Sequence, residues 1–304
     1  MGQGADSAPR LRRIEVVANL ASGSVGPDAR ETIEAILSEA GVEGRIHTPD
    51  SGDLNRSIRQ ALDAGPDLLV IVAGDGTARC AAEMAGFDGP LLAPLPGGTM
   101  NMLPRALYGE RDWATALTDT LKDHCVRTVS GGEVDGRRFY VAAMLGSPAL
   151  FALAREAMRE RRFGLAWRRA KRALRRTFSG SLHFAIEDRA EGKAEALALM
   201  CPLISAALDD DAGVLEAAAL DPSGAAEAMR LGVSTLRGDW RQDPSVELWG
   251  CRYAKAWANG RIPATIDGEP VLLNRKVDIA FHPQAFRALA PTPPPAEDKP
   301  TVVG

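Results

Sequence analysis

The sequence predicts an α/β protein in which an open parallel sheet flanked by helices is followed by an antiparallel β-sandwich. Three observations predict it. From Leu11 to about Asp123, short apolar runs alternate with helix-period segments, as in a parallel sheet covered by helices. After Asp123 the rhythm changes: residues 126–145, "VRTVSGGEVDGRRFYVAAML", hold two strand-like runs around Asp135-Gly136, a dipeptide suited to a tight hairpin. Finally, 304 residues with 45% apolar content give room for two domains, each with its own core.

Taken in order, "RRIEVVAN" (12–19) reads as the first strand. "PDARETIEAILSEAG" (27–41) reads as a helix: Pro27 suits its first turn, Ile33, Ile36 and Leu37 share a face, and Gly41 can end it. "GRIHT" is the second strand. Leu54, Ile58, Ala61 and Leu62 mark a helix stopped at Gly65. "DLLVIVA" (67–73) is the third strand, followed by a helix, and "PLLAPL" is the fourth strand. Beyond the Asp135-Gly136 hairpin, further strands are expected in "SLHFAIE", "KAEALALM", "GVLEAAAL", "SVELWGCRY", "IPATID" and "VDIAFHP", with turn residues between most of them. The resulting organisation is a tail at 1–11, an α/β domain at 12–128, a β-sandwich domain at 129–290 and a proline-rich tail at 291–304, both tails expected to be disordered.

Composition excludes several function classes. A formal charge of −4 argues against a generic nucleic-acid binder, whose affinity rests on excess Lys and Arg. The four cysteines, Cys80, Cys125, Cys201 and Cys251, stand far apart, so no zinc or redox motif is expected and the thiols should be reduced. The scattered histidines form no H-E-x-x-H. The first residues lack the apolar core of a signal peptide, and the longest apolar run, 196–208, is too short for a bilayer. A cytoplasmic chain with at most peripheral membrane contact is expected.

Chemistry concentrates in three loops, each after a predicted strand: "NLASG" (19–23), "GDGT" (74–77) and "PGGTMN" (96–101). In open α/β sheets the carboxyl ends of the strands form the ligand-binding edge. Glycine lets a phosphate approach the backbone, and the N–H groups of a following helix favour anions. The loops together suit a polyphosphate. There is no G-x-x-x-x-G-K-[ST], and the apparent G-x-G-x-x-G at Gly74 has Arg79 in its last position, so a P-loop ATPase and an ordinary dinucleotide fold lose weight.

"AGDGTARCAAEMA", "LPGGTMNMLPRAL" and "NLASG" resemble the loops of the diacylglycerol kinase catalytic-domain family, which includes bacterial lipid kinases and sphingosine kinases. "LDDDAGVLEAAAL" is similar to that family's Asp-Asp-Gly-Leu-Leu segment, and "ATIDGEPV" to its Asp-Gly-Glu turn. The resemblance implies a two-domain kinase whose nucleotide-binding half is similar to NAD kinases and phosphofructokinases, with ATP and Mg²⁺ as cofactors. It implies that Asn19, Ser22 and Gly23 approach the nucleotide, that Gly74, Asp75, Gly76 and Thr77 line its phosphates, and that Gly97, Gly98 and Thr99 lie nearby. Asp267 is then the general base and Glu269 a supporting polar residue, while Asp75 acts on phosphate-bound magnesium or the reacting groups. Departures bear on the substrate and the metal. Ala73 replaces the family's first glycine, and Gly98-Thr99-Met100 alters its Gly-Thr-Gly order. Ala212 replaces a second aspartate, leaving a structural magnesium near Asp211 open, and Ser147-Pro148 replaces a Gly-Phe-Asp pattern near the lipid headgroup.

Between Arg155 and Arg176 lie ten of the chain's 36 basic residues, interleaved with Phe163, Leu165, Trp167 and Leu174. As a helix over about 150–176 this makes a cationic, partly apolar face suited to anionic lipid, with Arg168, Arg169, Arg172 and Arg175 at the membrane surface. The expected function is an ATP-dependent kinase phosphorylating the hydroxyl of a membrane lipid, either diacylglycerol or a ceramide or sphingoid lipid. Two alternatives stand beside it: a soluble kinase similar to NAD or sugar kinases, and a non-catalytic nucleotide- or lipid-binding protein. No nucleic-acid partner is expected, and the oligomeric state is open.

Overall fold

The computed structural model describes residues 11–146, 182–205, 207–208, 212–222, 227, 230–231 and 240–292. The tail before Leu11, most of the tail after Pro291, the basic segment with Arg168, Arg169, Arg172 and Arg175, and the Ser147-Pro148 and Asp211 positions lie outside the described residues. The described residues fall into two units: those up to Val129 together with those from Gln284 onward, and Ser130–Pro283.

In the first unit the order is β1 (Ile14–Ala18), α1 (Ala29–Glu39), β2 (Gly44–His47), α2 (Leu54–Asp63), β3 (Leu68–Ala73), α3 (Asp75–Ala85), β4 (Leu91–Pro96), α4 (Met102–Tyr108) and α5 (Trp113–Lys122). The strands are parallel in the order β2-β1-β3-β4. β1, β3 and β4 are buried at every position, which is why they read as continuous rather than alternating apolar runs. Helices α1 and α2 turn Ile33, Leu37 and Ile58 inward. Asp67 fixes the entry to β1 by accepting hydrogen bonds from the backbone N–H of Arg12 and Arg13, both at 2.9 Å. Asp112 caps α5 through the N–H groups of Ala114 and Thr115.

β5 (His124–Val134) carries the chain into the second unit. There follow β6 (Arg137–Phe139), β7 (Ala142–Gly146), β8 (Leu182–Ile186), β9 (Ala190–Ala194), β10 (Ala196–Met200), β11 (Leu215–Leu220), β12 (Val246–Cys251), β13 (Tyr253–Trp257), β14 (Ile262–Ile266), β15 (Glu269–Leu273) and β16 (Lys276–Pro291). One sheet is ordered β12-β11-β10-β7-β14-β15. In the other, β13 lies between β8 and the first part of β16, and β8 pairs with β9, all antiparallel. Phe139, Leu145, Phe184, Leu197, Ile266 and Ile279 pack into one core fed by both sheets. The α/β half and the antiparallel half are those expected from the sequence.

Three segments differ from that expectation. "KAEALALM" reads as one strand but divides at Glu195, with β9 and β10 in different sheets. Residues 245–253 read as one strand but divide at Arg252, whose N–H donates to the Glu187 carboxylate at 2.6 Å. β12 and β13 consequently belong to different sheets. β16 continues past Pro283, and Ala288 pairs in parallel with Leu92 of β4, so the last stretch of this strand belongs to the first unit. Pro291, expected to open the tail, is the last residue of that strand.

Among the described residues the four cysteines are free thiols, with Cys201 and Cys251 buried. Burial, reinforced by the Glu187 charge, pushes the Cys251 thiol up to about 12. No helix of the described residues is long and apolar enough to cross a membrane.

The turn between β9 and β10 yields a pH prediction. Burial, and then the negative charge of Asp221, push the half-buried Glu195 up to about 7 from 4.5. The folded state therefore binds this proton more tightly than the unfolded chain does. Its stabilising effect is complete below about pH 4.5 and is lost as pH rises to about 7. Glu195→Gln is expected to leave thermal stability unchanged at pH 4. At pH 8 it should add about 1 kcal/mol after solvent screening, a melting shift of about 2 °C readable by calorimetry.

Candidate functional site

Because β1, β3 and β4 are adjacent and parallel, their carboxyl ends share one edge of the sheet. The three glycine loops leave from that edge. In the first, Asn19 Oδ1 accepts from Ala21 N at 3.1 Å and its carbonyl accepts from Ser22 N at 2.9 Å, folding the loop back on itself. In the second, Gly74 is the N-cap of α3, and its carbonyl accepts from Thr77 N and Ala78 N, both at 3.1 Å. Gly76 and Thr77 thus lie in the first turn of α3, at the end of the helix that favours negative charge, with the Thr77 N–H itself taken by Gly74 O. In the third, Gly97 N donates to Ala73 O at 3.0 Å.

The loops touch. A Cβ added at Gly98 would lie 2.7 Å from Gly74 Cα, one at Gly74 would lie 3.8 Å from Ser22 Oγ, and one at Gly23 would lie 3.5 Å from Thr99 Oγ1. One at Gly97 would lie 2.6 Å from Ala73 N. Glycine is needed at positions 97 and 98 for close backbone approach, not for a left-handed torsion. Ser24 sews the first loop to the third: its N–H donates to Gly97 O at 3.2 Å, and its hydroxyl lies 3.3 Å from both Pro96 O and Gly98 O. Trp113 holds Ser24 in turn, donating Nε1–H to its carbonyl at 3.2 Å.

Asp75 stands at the start of α3, and its Oδ1 accepts from Leu103 N at 3.3 Å. The nearby N–H groups of Asn101 and Met102 also favour the charged form of this carboxylate. Burial raises its pKa, and the amide bonds oppose that rise. The aspartate between the glycines thus ties α3 to the first turn of α4. Asn101, the N-cap of α4, is buried with φ of 51°. Its Oδ1 accepts from Gly98 N at 2.7 Å and its Nδ2 donates to Gly98 O at 2.9 Å.

The second unit holds a separate constellation. Asp267 and Gly268, with φ of 46° and 81°, form the two-residue turn between β14 and β15. The buried Asp267 carboxylate accepts three backbone bonds: Tyr140 N to Oδ2 at 3.0 Å, and Val141 N and Ala142 N to Oδ1 at 3.0 and 3.1 Å. Its own N–H donates to Ala142 O at 2.9 Å, so turn and segment grip each other. Glu269 is exposed at the first position of β15, opposite Ile266.

Of the residues expected from the sequence, Ser22, Gly23, Gly74, Gly97, Gly98 and Thr99 are brought into one cluster, with Asn19, Asp75, Gly76 and Thr77 in the same loops. Sequence reasoning missed Ser24, Trp113 and the role of Asn101. Ser24 stands one residue beyond the glycine of its loop and carries no motif. Asn101 closes "PGGTMN", where an Asn preceding a helix is itself a capping signal. Among the described residues no group of three or more His, Cys, Asp or Glu is arranged to hold a metal ion.

Residues 13–134 match the family model of the diacylglycerol kinase catalytic domain. Over 108 residues the chain is 40% identical to a Pseudomonas aeruginosa protein named Probable lipid kinase YegS-like, covering 34% of this chain and 35% of that protein. Over 139 residues it is 29% identical to the diacylglycerol kinase of Bacillus subtilis, covering 42% and 44%. These alignments thus span less than half the length of the curated relatives. The fold extends further: a crystal structure of a diacylglycerol kinase from Bacillus anthracis superposes with a TM-score of 0.66 at 14% identity, covering 92% of this chain and 97% of that one.

Proposed function

With a diacylglycerol kinase catalytic domain over residues 13–134 as the premise, we propose that this protein is an ATP-dependent kinase that phosphorylates the hydroxyl of a membrane lipid. The observation that carries the reading is the convergence of three glycine loops at the carboxyl ends of β1, β3 and β4, packed to backbone contact. Such a surface brings glycine backbone and the start of α3 together where an anion is favoured.

Phosphoryl transfer asks for alignment and charge neutralisation more than for covalent chemistry. In this reading, Ser22, Gly23, Gly74, Gly76, Thr77, Gly97, Gly98 and Thr99 receive the polyphosphate, and Asn19 shapes the first loop. Mg²⁺, when bound with ATP, supplies neutralisation of the phosphate charge. The residues fit a metal carried mainly by the nucleotide's own oxygens. Asp75 is the carboxylate of the loop cluster, and its bond to the Leu103 amide of α4 suits it to hold the cradle's shape. Asp267 is the base we assign to the acceptor hydroxyl, with Glu269 as its polar neighbour along the turn. Three peptide donors fix that carboxylate, and the left-handed backbone beneath it is the kind of local strain that concentrates at working sites. The approach to a lipid surface rests on the sequence of the Arg155–Arg176 segment.

The test is transfer of labelled γ-phosphate from ATP to diacylglycerol, ceramide and sphingosine in mixed micelles, beside water-soluble acceptors. Labelled lipid is the expected product. On anionic vesicles the joint Arg168→Ser, Arg169→Ser, Arg172→Ser, Arg175→Ser variant should bind less well while binding ATP like wild type. Labelling of soluble acceptors alone, or ATP binding without transfer to any acceptor, would overturn the lipid reading.

A further inference from the structure

Resting on the nucleotide-site reading above, we infer that Asn101 is a positioning residue for the polyphosphate loops, acting through Gly98 and not by touching the ligand. Its backbone is in the left-handed region, at φ of 51°, where glycine is the easiest occupant and asparagine one of the few side chains tolerated. A helix N-cap there requires no amide, and in this structure the side chain makes no bond to the helix it precedes. What Asn adds over Gly is the two-bond ring with Gly98, in which its Oδ1 takes the N–H and its Nδ2 holds the carbonyl.

That ring closes a circuit. Gly98 abuts Gly74, Gly74 caps α3, Asp75 at the head of α3 accepts from the Leu103 N–H in the first turn of α4, and Asn101 at the head of α4 returns to Gly98. Gly98 O is shared with the Ser24 hydroxyl, so the first loop joins the same circuit. Thr99 is held between two fixed points, with its Oγ1 on the side of Gly23. Gly98 is therefore fixed before any ligand arrives, its own N–H spent on Asn101, and what the ring offers a nucleoside polyphosphate is a set position for the neighbouring Gly74 and Thr99, with no reorganisation of the loops on binding.

Asn101→Gly separates this role from a structural one, because it frees the backbone torsion while deleting both amide bonds. Three readouts are taken on the full chain: melting temperature, dissociation constant for Mg-ATP by titration calorimetry, and hydrogen exchange of the amides in 97–101. The expected result is a melting temperature within about 2 °C of wild type, faster exchange at Gly98, and Mg-ATP binding weakened at least about tenfold. Asn101→Asp, which keeps the acceptor for Gly98 N but sets a carboxylate oxygen against Gly98 O, is expected to weaken binding as well. Unchanged affinity and exchange in Asn101→Gly would overturn the inference. So would a fall in affinity matched by a comparable loss of stability, which marks a merely structural residue. Failure of the wild type itself to bind Mg-ATP would instead overturn the nucleotide reading and the inference with it.

Discussion

Asp267→Ala is expected to abolish phosphoryl transfer and to destabilise the second unit by about 3 to 5 kcal/mol. The stability term follows from the three peptide N–H groups of Tyr140, Val141 and Ala142, which lose their acceptor at a site where Asp267 is only 8% exposed. Each buried donor left unpaired costs about 1 to 3 kcal/mol, moderated by whatever water enters the space vacated. Alanine also tolerates the φ of 46° poorly. Loss of activity in this variant would therefore say little about chemistry. Asp267→Asn separates the two effects. Asparagine tolerates the left-handed turn, and its Oδ1 can still serve Val141 and Ala142, leaving its amide group opposite the Tyr140 N–H. The expected cost is about 1 to 3 kcal/mol, small enough for urea unfolding to confirm a folded protein. Removal of a general base lowers kcat by about 10² to 10⁴. A folded Asp267→Asn variant with kcat within threefold of wild type would remove Asp267 from the base role and leave it as an anchor of the 140–142 segment.

Gly98→Ala is expected to combine a stability loss of about 1 to 3 kcal/mol with ATP binding weakened by at least about tenfold. The added methyl would lie 2.7 Å from Gly74 Cα and 3.1 Å from Asn101 Oδ1. The first of these neighbours is backbone and cannot rotate away, so the second and third loops must separate. Gly52→Ala is the control, since a Cβ there meets nothing within 4 Å. Wild-type nucleotide affinity in Gly98→Ala would show that the loops do not act as one surface.

The strands of the first unit were legible because β1, β3 and β4 are buried on both faces, so a plain count of consecutive apolar residues finds them. The Asp-Gly turns were legible for a local reason, the left-handed torsions at Asp135, Gly136, Asp267 and Gly268. What was not legible is what the chain brings from afar. Asp75 looks, between its glycines, like a residue facing a ligand. Only the fold places the N–H of Leu103, 28 residues on, against its carboxylate. The Asp267 bonds span 125 to 127 residues and have no local trace. The change of sheet at Arg252 fails for the opposite reason: the apolar pattern continues across it, and the deciding partner, Glu187, lies 65 residues away. The loops that hold the candidate site were found by glycine spacing. The side chains that hold the loops, Ser24, Trp113 and Asn101, were not, because their partners are mainly backbone atoms of other loops.

The path of β16 bears on how this protein is made. A strand that begins in one unit and finishes in the other, with Ala288 beside Leu92 and the carbonyl of Leu289 receiving the hydroxyl of buried Tyr108 at 2.8 Å, leaves the ribosome after the whole of the second unit. The amino-terminal unit cannot complete its sheet until the residues after Pro283 have been made, and the β4 flank stays uncovered while the intervening unit is translated. Folding of the first unit as a closed domain, ahead of the second, is thereby denied to the nascent chain.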